Sequence, residues 1–325
     1  MQTVIVIAVN LTLPRTLRAT AAAVLLAAPF ALAACSGSGT ETASSTSAAA
    51  AGDCPTTPVD VVVSVDQWGD IVSDLGGACA KVTTVLASSS VDPHDYEPSP
   101  SDAAKFAGAQ LVVINGGHYD EWAAKLAASS AASAPVVNAI DLDRGEGAGV
   151  NPHAWYRPAT VTAVADAVTA KLSDLAPQAK DYFQGRRSAF TDQMKPYNQL
   201  IDTIKTKGAG KTYAATETVF DDMAGALGLS DRTPEGYQVA SSNETDPSPA
   251  DLDAFLRLLS DKGVDVLIYN TQTEGSVPEQ IRTAAEKAGV PVVEVTETVA
   301  PGAKSFEAWQ VDQLTALAKA LQIQT

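Results

Sequence analysis

The residues with the clearest chemical potential in this sequence are its three histidines, each of which follows a segment with strand character. His94 stands in Val-Asp-Pro-His-Asp-Tyr-Glu and His153 in Asn-Pro-His-Ala-Trp, so a proline restricts the backbone before each of them. His118 stands in Asn-Gly-Gly-His-Tyr. Neutral imidazole is a common ligand of zinc and other transition metals. One Pro-His step alone is more typical of a loop or capping histidine, but two among three histidines favour a metal site.

Strand-like and helical patterns alternate along the chain, which is typical of an α/β protein with parallel sheets. Short runs rich in Val and Ile predict strands at Val59–Val65, Leu111–Ile114, Val136–Val137, Val264–Tyr269 and Pro291–Val295, and a further strand is expected at Thr212–Thr216, before Glu217. Folded structure is expected to begin near Val59.

Two stretches of the sequence share one pattern, which indicates two related lobes. Glu-Pro-Ser-Pro-Ser-Asp102 precedes a helix and a strand that ends at Asn115, and Asp-Pro-Ser-Pro-Ala-Asp251 precedes a helix and a strand that ends at Asn270. In each copy a serine can cap the helix, a proline occupies its first turn and the aspartate completes a capping box. The position of His94 relative to its capping serine is taken by Asn243 in the second copy, so the turn itself does not require histidine.

The segment between the repeats has helical spacing and little strand character. Pro196 is expected to kink or split this helix. We interpret residues 177–207 as a helical spine that joins an N-terminal α/β lobe, residues 58–176, to a C-terminal α/β lobe, residues 208–325. A ligand is expected in the crevice between the lobes, at the carboxyl ends of the strands.

The N-terminal segment predicts export. Arg15 and Arg18 precede an apolar run that closes on Leu-Ala-Ala-Cys35, which indicates a signal peptide over residues 1–34 and a lipidated Cys35. The alternative, a transmembrane helix, needs about 20 apolar residues, and this run is shorter. Residues 35–57 are small and polar, as in a flexible tether between a lipid anchor and a folded domain.

Composition limits the partners of the chain without selecting a ligand. The formal net charge is −16, and removal of the two signal-peptide arginines makes it −18. Such a surface repels nucleic acid and anionic lipid and weakly favours cations, although acidity also serves solubility alone. Of the three cysteines, Cys54 and Cys79 remain as a pair in an oxidising compartment. We expect a disulfide; a two-thiolate metal site is the alternative.

Taken together, these motifs resemble those of the metal-specific solute-binding proteins of ABC importers, the group that binds zinc or manganese. The resemblance covers nearly all of the chain after the tether. It is carried, in order, by Asp-Pro-His94-Asp-Tyr-Glu-Pro, Asn115-Gly-Gly-His-Tyr-Asp-Glu-Trp122, Asn-Pro-His153-Ala-Trp, Asp-Pro-Ser-Pro-Ala-Asp251 and the strand and turn near Thr296. It implies a carrier that holds Zn²⁺ or Mn²⁺ between two lobes joined by a long helix.

The resemblance also implies a set of ligands. His94 and His153 match the metal-binding histidines of the N-terminal lobe, and Glu217 in Ala-Thr-Glu-Thr-Val-Phe matches the third ligand. Taken alone, Glu217 is also explained as an acid that gains from a helix N-terminus. The fourth ligand is commonly Asp in the family, and here the sequence reads Val-Thr296-Glu297-Thr298. Glu297 is our prediction.

Two other residues remain alternatives for the fourth position. Thr296 would take it together with a water molecule if the alignment slips by one residue, and His118 would take it from the rim of the crevice. Two imidazoles and two carboxylates neutralise a dication and suit tetrahedral zinc, whereas bidentate carboxylates would suit manganese. The histidine-rich loop of many zinc-binding members is missing, so the sequence leaves the metal open.

The expected function is capture of zinc or manganese outside the cytoplasm and delivery to an ABC permease with its cytoplasmic ATPase. The chain is expected to act as a monomer, anchored to the cell membrane by lipid, without nucleic acid. A metal-dependent hydrolase is one rival, but the sequence has no His-Glu-x-x-His helix and no Gly-x-Ser-x-Gly elbow, and four protein ligands leave no open position for catalysis. A surface adhesin is the other.

Overall fold

A computed structural model of the chain describes residues 54–87, 96–143, 151–243, 245–273 and 275–325. The predicted signal peptide, Cys35 and His94 lie outside these ranges. In chain order the helices and strands are β1 (Val59–Val65), α1 (Asp66–Gly76), β2 (Ala80–Leu86), α2 (Pro100–Phe106), β3 (Leu111–Ile114), α3 (Glu121–Ser130), β4 (Val136–Asn138), α4 (Pro158–Leu175), α5 (Lys180–Gln193), α6 (Lys195–Lys207), β5 (Thr212–Ala215), α7 (Asp221–Leu227), β6 (Ser230–Asp231), α8 (Glu235–Ser242), α9 (Pro249–Ser260), β7 (Val266–Asn270), α10 (Ser276–Ala288), β8 (Val292–Val295) and α11 (Phe306–Ala320).

The strands form two four-stranded parallel sheets with the same topology. Their orders are β2-β1-β3-β4 and β6-β5-β7-β8, and every neighbouring pair is parallel. The predicted architecture of two parallel α/β lobes is therefore confirmed. The shared order also pairs β3 with β7, so Asn115, directly after β3, and Asn270, the last residue of β7, take equivalent places at the carboxyl ends of the two sheets.

The repeated Pro-Ser-Pro segments both begin helices, as predicted. Ser99 forms a full capping box with Asp102 at the start of α2. At the start of α9 the hydroxyl of Ser248 accepts from the backbone N–H of Asp251, and the Asp251 carboxylate also contacts that hydroxyl at 2.6 Å. The capping box predicted for this helix is therefore wrong in one half: both contacts use the Ser248 hydroxyl, and the Asp251 carboxylate does not accept from the Ser248 backbone N–H.

The segment between the lobes is helical and divided at Pro196. α5 ends at Gln193 and α6 begins at Lys195, with Pro196 in its first turn, where a missing N–H leaves no helical bond unmade. A large hydrophobic core includes residues of both sheets, for example Val63 of β1 and Ile268 of β7. A smaller core around Phe255 and Leu259 lies between the second sheet and α9. Among the residues described, no helix is both long and apolar enough to span a bilayer.

The structure contains the expected disulfide between Cys54 and Cys79. It lies near the amino ends of β1 and β2, where Val59 pairs with Ala80, and so at the sheet edge opposite the crevice. Replacement of both cysteines by serine should lower the free energy of unfolding by about 3 kcal/mol, because the bond closes a loop with a sequence separation of 25. Urea denaturation measures this loss. Metal affinity should be unchanged, and a variant that lost affinity without losing stability would contradict this placement.

Candidate metal-binding site

His153 lies in a short loop immediately before a 3-10 turn, Ala154–Tyr156, and only 3% of it is exposed. The Asn151 side-chain oxygen accepts from the His153 backbone N–H at 3.0 Å and lies 2.7 Å from the ring Nδ1. Since this oxygen can only accept, Nδ1 must carry the proton. The lone pair of the ring is then on Nε2, the tautomer that a metal ligand requires.

The loop of His153 is fixed from both lobes. The Asn115 side-chain amide donates to the Pro152 carbonyl at 2.7 Å, and the Asn151 amide donates to the Thr218 carbonyl, in the turn after Glu217, at 2.8 Å. Asn115 is itself held, because Trp68 Nε1 donates to its side-chain oxygen at 3.0 Å. Little freedom is left to the imidazole.

Aromatic rings enclose the imidazole. The Trp155 ring lies 5.5 Å from that of His153 at 89°, and the Tyr119 ring lies 6.1 Å away. Both Trp155 and Tyr119 are fully buried. This wall excludes water and lowers the local dielectric, which strengthens electrostatic interactions with a bound cation.

Glu297 lies opposite His153, just after β8, and is 5% exposed. Its Oε2 is 3.8 Å from His153 Nε2 and 3.5 Å from the Tyr119 hydroxyl. Its backbone is held on both sides, because the N–H donates to Gln272 Oε1 at 2.8 Å and the carbonyl accepts from Gln67 Nε2 at 2.7 Å. The structure thus brings together two of the predicted ligands from opposite lobes.

Glu217 lies at the carboxyl end of β5, directly before a 3-10 turn, Thr218–Phe220. Its side chain makes no capping bond to that turn. The Glu217 Oε2 accepts instead from Asn270 Nδ2 at 2.5 Å and from the Thr273 hydroxyl.

Asn270 joins Glu217 to Glu297. Its Nδ2 also donates to Glu297 Oε1 at 2.9 Å, so the two carboxylate oxygens cannot lie farther apart than the sum of these two hydrogen-bond lengths. Sequence reasoning did not select Asn270, Tyr119 or Gln67. The only signal for Asn270 was its place at the end of the second repeat, matching Asn115.

The two alternatives for the fourth position are engaged elsewhere. The Thr296 hydroxyl donates to the Thr298 carbonyl at 2.8 Å and accepts from Trp309 Nε1 at 2.9 Å. The His118 side chain is 82% exposed, and its Nδ1 lies 2.5 Å from Glu121 Oε1. These contacts support the interpretation of His118 as a rim residue.

The described residues alone do not complete a metal site. Within them, His, Cys, Asp and Glu side chains form no group of three that could hold an ion. The amide of Asn270 lies between the two glutamates, and His94 falls in the undescribed segment 88–95. What the structure does contain is a buried imidazole, His153, that faces Glu297, and a second carboxylate, Glu217, that is linked to Glu297 through the Asn270 amide.

A buried aspartate supports this arrangement without being a ligand. Asp120 accepts from the backbone N–H groups of Asn115 at 2.7 Å and Gly116 at 2.8 Å, and burial raises the pKa of its carboxyl. Gly116 has a φ of 80°, and a Cβ there would meet the Asn138 side chain. The turn that orients the Asn115 amide toward Pro152 is therefore possible only with glycine at this position.

Carboxylates of α1 also join the lobes near the site. Asp66 accepts from the Val299 backbone N–H at 3.5 Å, and Asp70 accepts from that of Phe306. Burial raises the pKa of Asp66 to about 6, above the value of about 3.9 in an unfolded chain. The native state therefore binds more protons between these values. Stability from this group is fully present below pH of about 4 and is lost as the pH rises through about 6.

Asp66→Asn should remove this pH dependence, because the amide can still accept from Val299 but does not titrate. The melting temperature of the variant minus that of the wild type should increase from pH 4 to pH 7, as measured by scanning calorimetry. Asp181→Asn, which removes one exposed negative charge, is the control. A difference that stays constant with pH for Asp66→Asn would contradict the prediction.

Comparison with known proteins assigns the family. Residues 61–320 match the family model described as zinc-uptake complex component A, periplasmic. The chain belongs to this family. The resemblance seen in the sequence is thereby confirmed over most of the chain.

Relatives of both metal classes are similar to this chain. The manganese-binding lipoprotein MntA of Bacillus subtilis is 25% identical over 280 residues, which cover 82% of this chain and 85% of that protein. The high-affinity zinc uptake system protein ZnuA of the same organism is 26% identical over 215 residues, which cover 61% of this chain and 66% of that protein. The chain is thus about equally identical to a relative named for zinc and to one named for manganese.

Solved structures agree on the fold. The periplasmic zinc-binding protein TroA of Treponema pallidum superposes with a TM-score of 0.68 at 17% identity, covering 82% of this chain and 99% of that one. FpvC of Pseudomonas aeruginosa in complex with Mn²⁺ gives a TM-score of 0.67 at 19% identity, with the same coverage. At such identities the likeness concerns the fold alone.

Proposed function

We propose that this chain is an extracytoplasmic solute-binding protein that captures a divalent transition metal, zinc or manganese, and delivers it to an ABC import permease with its cytoplasmic ATPase. The observation that carries the proposal is the pairing of His153 Nε2 with Glu297 Oε2 at 3.8 Å. Both side chains are at least 94% buried and come from opposite lobes. A buried imidazole that faces a carboxylate at the carboxyl ends of parallel sheets is a suitable place for a cation.

The proposed ligands are His94, His153, Glu217 and Glu297. Support for His94 comes from the ends of its segment. β2 ends at Leu86, beside Val65 at the crevice edge, and the chain returns at Tyr96, whose ring packs 4.9 Å from that of Trp122. Two neutral imidazoles and two carboxylates would balance the charge of a dication, which matters in a buried site because uncompensated charge is costly there.

Attachment to the membrane through a lipid on Cys35 is part of the same proposal. The chain ends its predicted signal peptide with Leu-Ala-Ala-Cys35, and several relatives are named lipoproteins, including MntA of Bacillus subtilis and PsaA of Streptococcus pneumoniae. A lipid anchor of this kind would keep the carrier beside its permease while the residues between Cys35 and the disulfide-bonded Cys54 act as a tether. We propose a monomer, since each chain supplies all four ligands.

The rival functions lack comparable support. Membership of a metal-uptake family favours transport over a hydrolase or an adhesin. A hydrolase would also need an open coordination position for water, whereas four protein ligands fill a tetrahedral shell.

Isothermal titration calorimetry tests the proposal. The full chain, purified in detergent and stripped of metal with a chelator, should bind about one Zn²⁺ or Mn²⁺ per chain, with release of heat that a chelator abolishes. Absence of binding for both metals would overturn the proposed function. Metal-dependent turnover of an ester, amide or phosphate substrate would instead support the hydrolase.

A further inference from the structure

Tyr156 ends the 3-10 turn that follows His153, and its side chain packs against the other lobe. Its backbone N–H donates to the His153 carbonyl at 3.1 Å, and its side chain is fully buried. The ring lies 5.3 Å from that of Phe220 and 5.8 Å from that of Trp309, both of the C-terminal lobe. The phenol is therefore held between the loop of His153 and the second lobe.

The Tyr156 hydroxyl contacts the residue that precedes Glu297. It lies 2.7 Å from the Thr296 carbonyl oxygen and 2.8 Å from Gln313 Oε1, so its single proton has two acceptors. The same Oε1 accepts from the Thr296 backbone N–H at 3.1 Å, which fixes the orientation of the Gln313 amide, because a backbone N–H only donates. Both backbone polar groups of Thr296 are thus bound within one small network.

This network connects the two side chains that face each other in the candidate site. Tyr156 lies three residues after His153, and Thr296 directly precedes Glu297, whose Oε2 is 3.8 Å from His153 Nε2. Other bonds hold the Glu297 backbone to α1 and to Gln272, which follows β7. The bond from Tyr156 differs from these because it starts on the turn that follows His153.

We infer that Tyr156 is a positioning residue, whose hydroxyl sets the place of Glu297 relative to His153 and thereby raises the affinity of the site for its metal. This inference rests on the proposed function. Tyr156 is not a ligand; it acts through the backbone of Thr296. Residues that orient metal ligands through hydrogen bonds commonly change metal affinity by about 10–100-fold when they are replaced.

Tyr197 of α6 offers a matched control. It is 1% exposed, and its hydroxyl has no hydrogen-bond partner among the described residues. Tyr156→Phe and Tyr197→Phe make the same chemical change at equally buried positions, but only the first removes a bond to Thr296. Comparison of the two variants therefore separates the loss of this contact from the loss of a buried hydroxyl in general.

Metal titration tests the inference. The full chain, Tyr156→Phe and Tyr197→Phe are stripped of metal and titrated with Zn²⁺ and with Mn²⁺ against a chelating dye. For each metal that the wild type binds, the affinity should fall by about tenfold in Tyr156→Phe and stay at the wild-type value in Tyr197→Phe. Unchanged affinity in Tyr156→Phe, or an equal loss in both variants, would overturn the inference and leave the proposed function intact.

A double-mutant cycle with Glu297→Ala shows whether Tyr156 acts through Glu297. If it does, removal of the hydroxyl should change the affinity by less than about twofold once the Glu297 side chain is absent, because no carboxylate remains to be positioned. The same tenfold loss with and without that side chain would contradict the inference, since a residue that only stabilises the fold would give additive losses.

Hydrogen exchange of the metal-free chain gives a readout that does not depend on metal. The backbone amides of Thr296 and Glu297 should exchange about fivefold faster in Tyr156→Phe, because loss of a buried hydrogen bond makes local opening easier. Their exchange in Tyr197→Phe should match that of the wild type. Unchanged exchange in Tyr156→Phe would show that the hydroxyl does not hold this segment, against the inference. A wild type that binds neither Zn²⁺ nor Mn²⁺ would overturn the proposed function and, with it, this inference.

Discussion

His153→Ala should weaken zinc and manganese binding by at least about a hundredfold. The substitution removes the nitrogen that lies 3.8 Å from Glu297 Oε2, and replacement of mere supporting residues already costs about 10–100-fold in metal affinity. Titration against a competing chelating dye measures the change. His118→Ala is the matched control, because it deletes an imidazole that is 82% exposed and paired with Glu121.

Comparison of the two variants distinguishes a histidine that binds the metal, His153, from an exposed histidine that does not, His118. His118→Ala should bind metal with the affinity of the wild type. Wild-type affinity in His153→Ala, or loss of binding in His118→Ala, would contradict the assignment. Circular dichroism of both variants excludes global unfolding as the cause, since His153 is buried and its loss leaves a small cavity.

Glu297→Gln should abolish most of the stabilisation that metal gives to the fold. The variant keeps the shape of the side chain but removes one of two carboxylate charges at a buried site, so a bound dication would be left with excess positive charge. A hundredfold loss of affinity reduces the metal-dependent stabilisation by about 2.7 kcal/mol at saturating metal. Thermal melting with and without Zn²⁺ measures this effect.

The control for this change lies three residues before Glu297. Glu294 belongs to β8, but its side chain is 53% exposed and pairs with Arg282. Glu294→Gln should show the same metal-dependent increase in melting temperature as the wild type. An equal increase in Glu297→Gln would remove Glu297 from the ligand set.

The sequence predicted the central strands because almost all of their residues are buried. β1 and β3 fall at the predicted bounds, and both consist of Val- and Ile-rich runs inside the sheet. β2 and β6 were missed. Both are edge strands, and the exposed and half-buried residues of β2 and the two exposed residues of β6 give no continuous apolar pattern.

The candidate site could be predicted only in part. His153 was recognisable from its Pro-His step, and Glu217 and Glu297 from the family resemblance. Asn270, Tyr119 and Gln67 were not, because their roles depend on side-chain orientation after the lobes meet. The bond from Gln67 to the Glu297 carbonyl joins residues 230 positions apart, and no local pattern encodes such a contact.

The contacts between lobes explain why His153 and Glu297 already face each other. Gln67 and Asp66 of α1 hold the segment that carries Glu297, and the Tyr156 hydroxyl donates to the Thr296 carbonyl at 2.7 Å. Glu297, which follows the second sheet, is therefore held from both lobes, by Gln67 of the N-terminal lobe and by Gln272 and Asn270 of its own. Glu217 is fixed by Asn270 and Thr273 of its own lobe.

A crystal structure of the Zn²⁺-loaded chain, with data collected at the zinc absorption edge, tests the central claim most directly. We expect one strong anomalous peak per chain, about 2.0–2.2 Å from His153 Nε2 and from one oxygen each of Glu217 and Glu297, with His94 as the fourth ligand. A peak at His118 and Glu121, or at any place remote from His153, would contradict it.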